Sequence, residues 1–120
     1  MAGPLQGIRI LELTAVVLGP WACQMLADMG ADVIKIEPPY GDSNRSLGKV
    51  KNKEGMAALY LTCNRNKRSL VLDLKKPEGR NALLELSKEA DVLIHNNRPQ
   101  VMKKLGIRFE NIHLWVCQLF

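Results

Sequence analysis

Between Gly7 and Glu37 two short β-prone runs flank a single helical run, which reads as a β-α-β unit of about thirty residues with the two strands parallel. Gly7-Ile8-Arg9-Ile10-Leu11-Glu12-Leu13 carries apolar residues at 8, 10, 11 and 13. That is more than one-sided alternation gives and suits a central strand covered on both faces. Thr14 to Leu18 makes the turn, and Gly19-Pro20 opens a helix on which Trp21, Met25 and Met29 form one stripe while Gln24 and Asp28 share another face. Gly30 stands where a C′ glycine belongs. Ala31 to Glu37 is the second strand.

The same alternation continues. Pro38-Pro39-Tyr40-Gly41-Asp42 ends the second strand, and Ser43 to Ala58 is a polar, lysine-rich loop without a period. Leu59 to Cys63 is a short helical turn or a strand. Ser69 to Leu74 is the third strand, followed by a helix that starts at Pro77 and buries Ala82, Leu83, Leu86 and Ala90. Asp91 to His95 is the fourth strand, and a short helix after Pro99 turns Val101, Met102 and Leu105 inward before Gly106 closes it. Leu114 to Phe120 is a strand in which the sequence stops. The fold class is therefore α/β, a Rossmann-like parallel sheet with helices on both faces, incomplete because the chain ends early.

Composition narrows the function classes. The chain has 120 residues, 47% hydrophobic and 24% charged, which is one ordinary globular domain. No run approaches the ~18 apolar residues of a membrane span, and Met1 to Gly7 lacks the parts of a secretory signal. A cytoplasmic or organelle-matrix protein follows, with no membrane partner. Cys23, Cys63 and Cys117 are odd in number and far apart, so all three are expected reduced and mostly buried, with no metal site. His95 and His113 have no sequence partner that suggests a base or ligand, and both are read as structural.

Charge is uneven. Between Asn44 and Arg80 lie ten of the seventeen Lys/Arg residues against three acids, and the approach Asn64-Arg65-Asn66-Lys67-Arg68 runs straight into the third strand. This pattern suits an anionic partner. Tyr60 is the single aromatic in that stretch, so there is no stacking ladder for single strands, and no nucleic-acid-binding signature is present; a nucleotide or coenzyme A fits better than nucleic acid. The turn after the first strand lacks Gly-x-Gly-x-x-Gly, which disfavours dinucleotides of the NAD type. On the residues alone, Val16, Val17 and Leu18 are loop packing.

Six blocks in order carry a resemblance. They are Pro4-Leu5-x-Gly7-x-x-Ile10-Leu11-x-Leu13-Thr14, Gly19-Pro20, Leu26-Ala27-Asp28-Met29-Gly30-Ala31-Asp32-Val33-Ile34-Lys35-Ile36-Glu37-Pro38, Asn64-Arg65-Asn66-Lys67-Arg68-Ser69, Asp73-Leu74-Lys75-x-Pro77-Glu78-Gly79 and Asn96-x-Arg98-Pro99-x-x-Met102-x-Lys104-Leu105-Gly106. Together they resemble the amino-terminal region of the class III coenzyme A transferases, a family that includes formyl-CoA transferase and α-methylacyl-CoA racemase. The resemblance implies that residues 1–120 are the amino-terminal part of a larger CoA-binding Rossmann-like domain. It also implies an interlocked homodimer and acyl-CoA and carboxylic acid substrates. CoA contacts would fall at Val17 and Leu18, at Leu72, Asp73, Leu74 and Lys75, at Asn96, Asn97 and Arg98, and at Lys104. Arg68 joins Lys75, Arg98 and Lys104 as a cation for the phosphates.

The resemblance further implies that an aspartate downstream of Phe120 forms an acyl-enzyme anhydride, or that a downstream His/Asp pair racemises an acyl-CoA. No catalytic residue is assigned within these 120 residues, so the chain by itself is expected to be inactive: a CoA-binding or dimerising segment. Formyl-CoA transferases carry His and Gln where this chain has Ala15 and Val17, and Arg where it has Pro38. Formyl or oxalyl transfer is accordingly disfavoured.

Overall fold

A chain whose strands are joined by helical crossovers closes into one parallel sheet. The computed structural model describes residues 2–48, 55–112 and 114–119. Its strands are β1 (Arg9–Leu13), β2 (Asp32–Glu37), β3 (Lys67–Val71), β4 (Val92–His95) and β5 (Trp115–Gln118), in spatial order β3-β2-β1-β4-β5 with every neighbouring pair parallel. The helices are α1 (Leu18–Asp28), α2 (Ala58–Asn64), α3 (Pro77–Ser87) and α4 (Pro99–Lys104). Leu59 to Cys63 is thus helical, and Pro77 and Pro99 occupy first helical positions as read.

Alternation along the strands divides the core into two layers. Leu11, Ile34 and Leu93 pack with Leu83 of α3 and Met102 of α4 on one face. Ile10, Val33 and Ile94 pack with Cys23 and Ala27 of α1 on the other. Each fully buried side chain of this kind is worth ~1.5–3 kcal/mol. β1 is central, with β2 and β4 as its neighbours.

α1 turns its smaller residues to the sheet. Trp21, Met25 and Met29 are exposed, whereas Cys23, Gln24 and Ala27 are buried. The helix is apolar on most sides, so periodicity alone allows two orientations. The small Cys23 and Ala27 permit close approach to the sheet, and buried Gln24 is satisfied by accepting from the Arg65 amide at 3.1 Å.

The third strand also shifts, from the expected Ser69–Leu74 to Lys67–Val71. Its register pairs Lys67 to Val71 with Val33 to Glu37. Beyond it the chain leaves the sheet in a turn, with the Asp73 carboxylate accepting from the Lys75 amide at 3.1 Å. The expected strand Leu114–Phe120 is observed as Trp115–Gln118, and Phe120 lies outside the described residues. Residues 49–54 of the lysine-rich loop and His113 lie outside them as well. All three cysteines are free; Cys23 and Cys63 are buried, but Cys117 is exposed because β5 is an outer strand of the described sheet. Burial and the nearby Glu12 charge push the Cys23 thiol up to about 12.

Candidate functional site

In a parallel sheet the crossovers reverse direction at one place, and the loops there diverge to leave a crevice beyond the carboxyl ends of the strands. Here the reversal lies between β1, which leads outward to β2 and β3, and β4, which leads to β5. A cavity of about 420 Å³ opens at that end, walled by Thr14 and Ala15 after β1, Pro38, Pro39 and Tyr40 after β2, Leu72 to Lys75 after β3, Asn96 and Asn97 after β4, and Val101 and Leu105 of α4. Six of the ten expected contact residues, Leu72, Asp73, Leu74, Lys75, Asn96 and Asn97, line this one space. Leu72 and Leu74 are partly buried against the core, so they serve packing and wall together.

The other four stand off the cavity wall. Val17 is the residue before α1 and Leu18 its first residue. Arg98 is the residue before α4 and Lys104 its last, both exposed. Lys75, Arg98 and Lys104 make no ion pair among the described residues, and Lys75 stands in the cavity wall.

The β1–α1 turn is tightly built. A Cβ added at Gly19 would fall 2.4 Å from the Thr14 Cβ, so only glycine lets the helix start fold back on the strand end. Val16 has φ 72°, a left-handed conformation that costs a branched residue ~1–2 kcal/mol. The Asn44 carboxamide donates to the Val16 carbonyl. Likewise Gly79 admits the close approach of α3 to the 73–75 turn, since a Cβ there would meet the Asp73 carbonyl oxygen at 2.1 Å.

Behind the turn lies a buried ionic network that the sequence did not disclose. Lys35 Nζ sits 3.2 Å from Glu12 Oε1 and 3.0 Å from Asp42 Oδ2, with all three side chains almost fully enclosed. Lys67 Nζ reaches Glu12 Oε2 at 2.8 Å and donates to the Pro20 carbonyl and Asn64 Oδ1. Burial lowers the Lys67 ammonium from its ordinary value, against the pull of Glu12. Glu37 accepts from both Arg45 nitrogens at 2.7 Å, from Ser69 at 2.8 Å, from Tyr60 at 3.0 Å and from the Asp42 amide at 2.9 Å. Burial alone would push the Glu37 carboxyl up; these donors instead hold it at about 2. The Arg45 guanidinium also stacks on the Tyr60 ring, 3.9 Å from its centroid.

The basic middle of the chain is therefore corrected. Arg45 is closed on Glu37, Arg65 on Asp28, Lys67 on Glu12 and Arg68 on Asp32. Lys67 and Arg45 sit in buried or half-buried pairs that support the fold, and Arg65 and Arg68 are engaged by carboxylates nearer the surface, so none of the four awaits an anion. The alternating carboxylates Glu12, Asp32 and Glu37 in the strands were the available signal, because charges inside an otherwise apolar parallel strand are buried only when paired.

The crevice contains two carboxylates, and neither is poised for attack: Glu37 is saturated with donors, and Asp73 closes its own turn. His95 is buried on β4 with Nδ1 lacking a partner among the described residues, and burial lowers its proton affinity. No metal-binding cluster occurs among the described residues, and no helix there is long and apolar enough to cross a membrane.

Comparison with known proteins places this geometry. The model of CoA-transferase family III matches residues 5–114. A succinate–glutarate CoA-transferase of Agrobacterium fabrum is 48% identical over 117 residues, 92% of this chain and 29% of that protein. A formyl-CoA:oxalate CoA-transferase of Afipia carboxidovorans is 43% identical over 113 residues, 93% of this chain and 26% of that protein. The crystal structure of a CAIB/BAIF family protein from Brucella suis superposes with a TM-score of 0.89 at 38% identity, covering 98% of this chain and 33% of the other. The chain thus spans between about a quarter and a third of the length of these relatives.

Proposed function

Because the chain belongs to CoA-transferase family III, we propose that it binds coenzyme A in the crevice at the carboxyl ends of β1 to β4, as the amino-terminal part of a larger CoA-binding domain. The observation that carries this reading is the convergence of Leu72–Lys75, Asn96 and Asn97 on one cavity at the switch point. A mostly apolar space with Lys75 in its wall suits a ligand with a long apolar arm and phosphates.

The activity of the whole protein is CoA transfer between carboxylic acids. An aspartate outside these 120 residues attacks the thioester carbonyl and expels CoA as its thiolate; the thiolate attacks the aspartyl carbonyl of the mixed anhydride and releases the donor acid. The acceptor carboxylate then displaces CoA through a second anhydride, whose acyl carbonyl the thiolate attacks to give the new acyl-CoA and the free aspartate. The two carboxylates of the crevice are engaged in structure, which supports a division in which this segment binds and another performs the chemistry. Both curated relatives above are named as CoA-transferases, which favours transfer over racemisation. Ala15, Val17 and Pro38, which stand where formyl-CoA transferases carry other residues, argue against formyl or oxalyl transfer. The protein acts as a homodimer, a reading supported by the exposed apolar stripe Leu18, Trp21, Met25 and Met29 along α1.

Titration calorimetry with CoA and with NAD tests the binding. Saturable heat with CoA and none with NAD is expected; the absence of CoA binding would overturn the assignment.

A further inference from the structure

We propose that Asn44 is a positioning residue for coenzyme A: it holds the β1–α1 turn in the one shape that borders the crevice. The proposal rests on the reading of the crevice as the CoA site. Three successive carbonyls of that turn are each captured by a side chain from a different part of the fold. Lys35 Nζ of β2 donates to the Thr14 carbonyl at 3.0 Å, Asn96 Nδ2 after β4 donates to the Ala15 carbonyl at 3.1 Å, and Asn44 Nδ2 donates to the Val16 carbonyl. Asn44 is almost fully buried and lies 28 residues away in sequence from the carbonyl it holds.

The peptide bonds are all trans among the described residues, so each captured carbonyl fixes the N–H of the next residue in the opposite direction. The N–H groups of Ala15, Val16 and Val17 donate to no described residue. They are unclaimed backbone donors in a turn whose Ala15 and Val16 are exposed, at the end of the central strand. Such donor sets take oxygen acceptors, phosphate among them. Two of the three captures come from one brace. Asp42 accepts from the Asn44 amide at 2.9 Å through Oδ1 and faces Lys35 Nζ at 3.0 Å through Oδ2, so Asn44 and Lys35 are set by the same carboxylate. Val16, left-handed and branched, does not hold that shape by itself.

Asn44→Ala and the isosteric Asn44→Asp, which cannot donate, are to be compared with wild type by CoA calorimetry, thermal unfolding and amide exchange of Val17 to Trp21. Loss of the donor should weaken CoA at least about tenfold in protein that is still folded, with faster exchange confined to the turn. Adding Val16→Asn, a residue that tolerates the left-handed conformation, to Asn44→Ala should recover most of the affinity. A merely structural Asn44 would lower the unfolding temperature and leave the affinity of the folded fraction unchanged, and that result, or failure of Val16→Asn to restore binding, would overturn the proposal. Wild-type protein that binds no CoA would instead overturn the functional reading beneath it.

Discussion

The Arg68 guanidinium closes on the Asp32 carboxylate through two hydrogen bonds, 2.9 and 2.6 Å long. The same carboxylate takes a third from Arg9 at 2.8 Å, so β1, β2 and β3 are pinned together at their starts. Those starts are the opposite end of the sheet from the crevice. Arg68 is thereby separated from the cations expected to meet phosphate.

Coenzyme A affinity should follow that division. Lys75→Ala, Arg98→Ala and Lys104→Ala are each expected to weaken binding by a few-fold to tens-fold, about 1–2 kcal/mol for a charge-assisted contact. Arg68→Ala should leave affinity within about twofold, and CoA affinity of wild type should fall as salt rises, because such charges are screened over ~8 Å at physiological ionic strength. Calorimetry at two salt concentrations reads all of these.

Replacing Lys35 by Met should be among the most damaging single changes. It leaves Glu12 and Asp42 buried without their shared cation, and breaking a buried ion pair from one side costs ~3–5 kcal/mol. Arg65→Ala, which removes a mostly exposed partner of Asp28, should cost under about 1 kcal/mol. Urea unfolding of the two variants distinguishes a network that supports the fold from one that does not.

Acid should unfold the protein partly through Glu37. Its carboxyl, ordinarily near 4.5, is held at about 2, so the unfolded chain takes up this proton first as pH falls. The stabilisation is complete above pH 4.5 and is lost as the pH drops toward 2, on the order of 3 kcal/mol in all. His95 acts at higher pH: burial lowers it from 6.5, so its contribution is present above that value and fades below it. Denaturation midpoints between pH 8 and 2.5 should show both losses, and Glu37→Gln should remove the lower one.

Gly79→Ala should report on the link between helix packing and binding. The new methyl would collide with backbone at Asp73, which cannot swing aside like the end of a side chain, so a loss of ~1–3 kcal/mol is expected together with weaker CoA binding as the 73–75 turn is displaced. Equal affinity in the variant would show that the turn does not touch the ligand.

The apolar stripe on α1 and the outer face of β5 should make the isolated polypeptide associate. Trp115 is 81% exposed and Trp21 57% exposed, areas that a second copy covers at once. Sedimentation should give a species heavier than the 13.4 kDa monomer, and Trp21→Lys with Met25→Lys should reduce it.

Much of the architecture is determined locally, and the sequence by itself carried it. Apolar runs at Ile8–Leu13, Val33–Ile36 and Val92–Ile94, prolines at 77 and 99 and the glycine at 30 define strands, helix starts and a helix end through contacts within a few residues. Parallel pairing and the regions of the crevice follow from their order. What only the tertiary structure decided depends on partners distant in the chain. Which side of α1 is buried was set by the room that Cys23 and Ala27 leave at the sheet. Lys67 and Arg68 read as a site for an anion until the fold placed Glu12 and Asp32, more than thirty residues earlier, against them. A charge on the sequence has no direction; burial forces it to find a counter-charge, and which one it finds is settled only when the strands lie side by side.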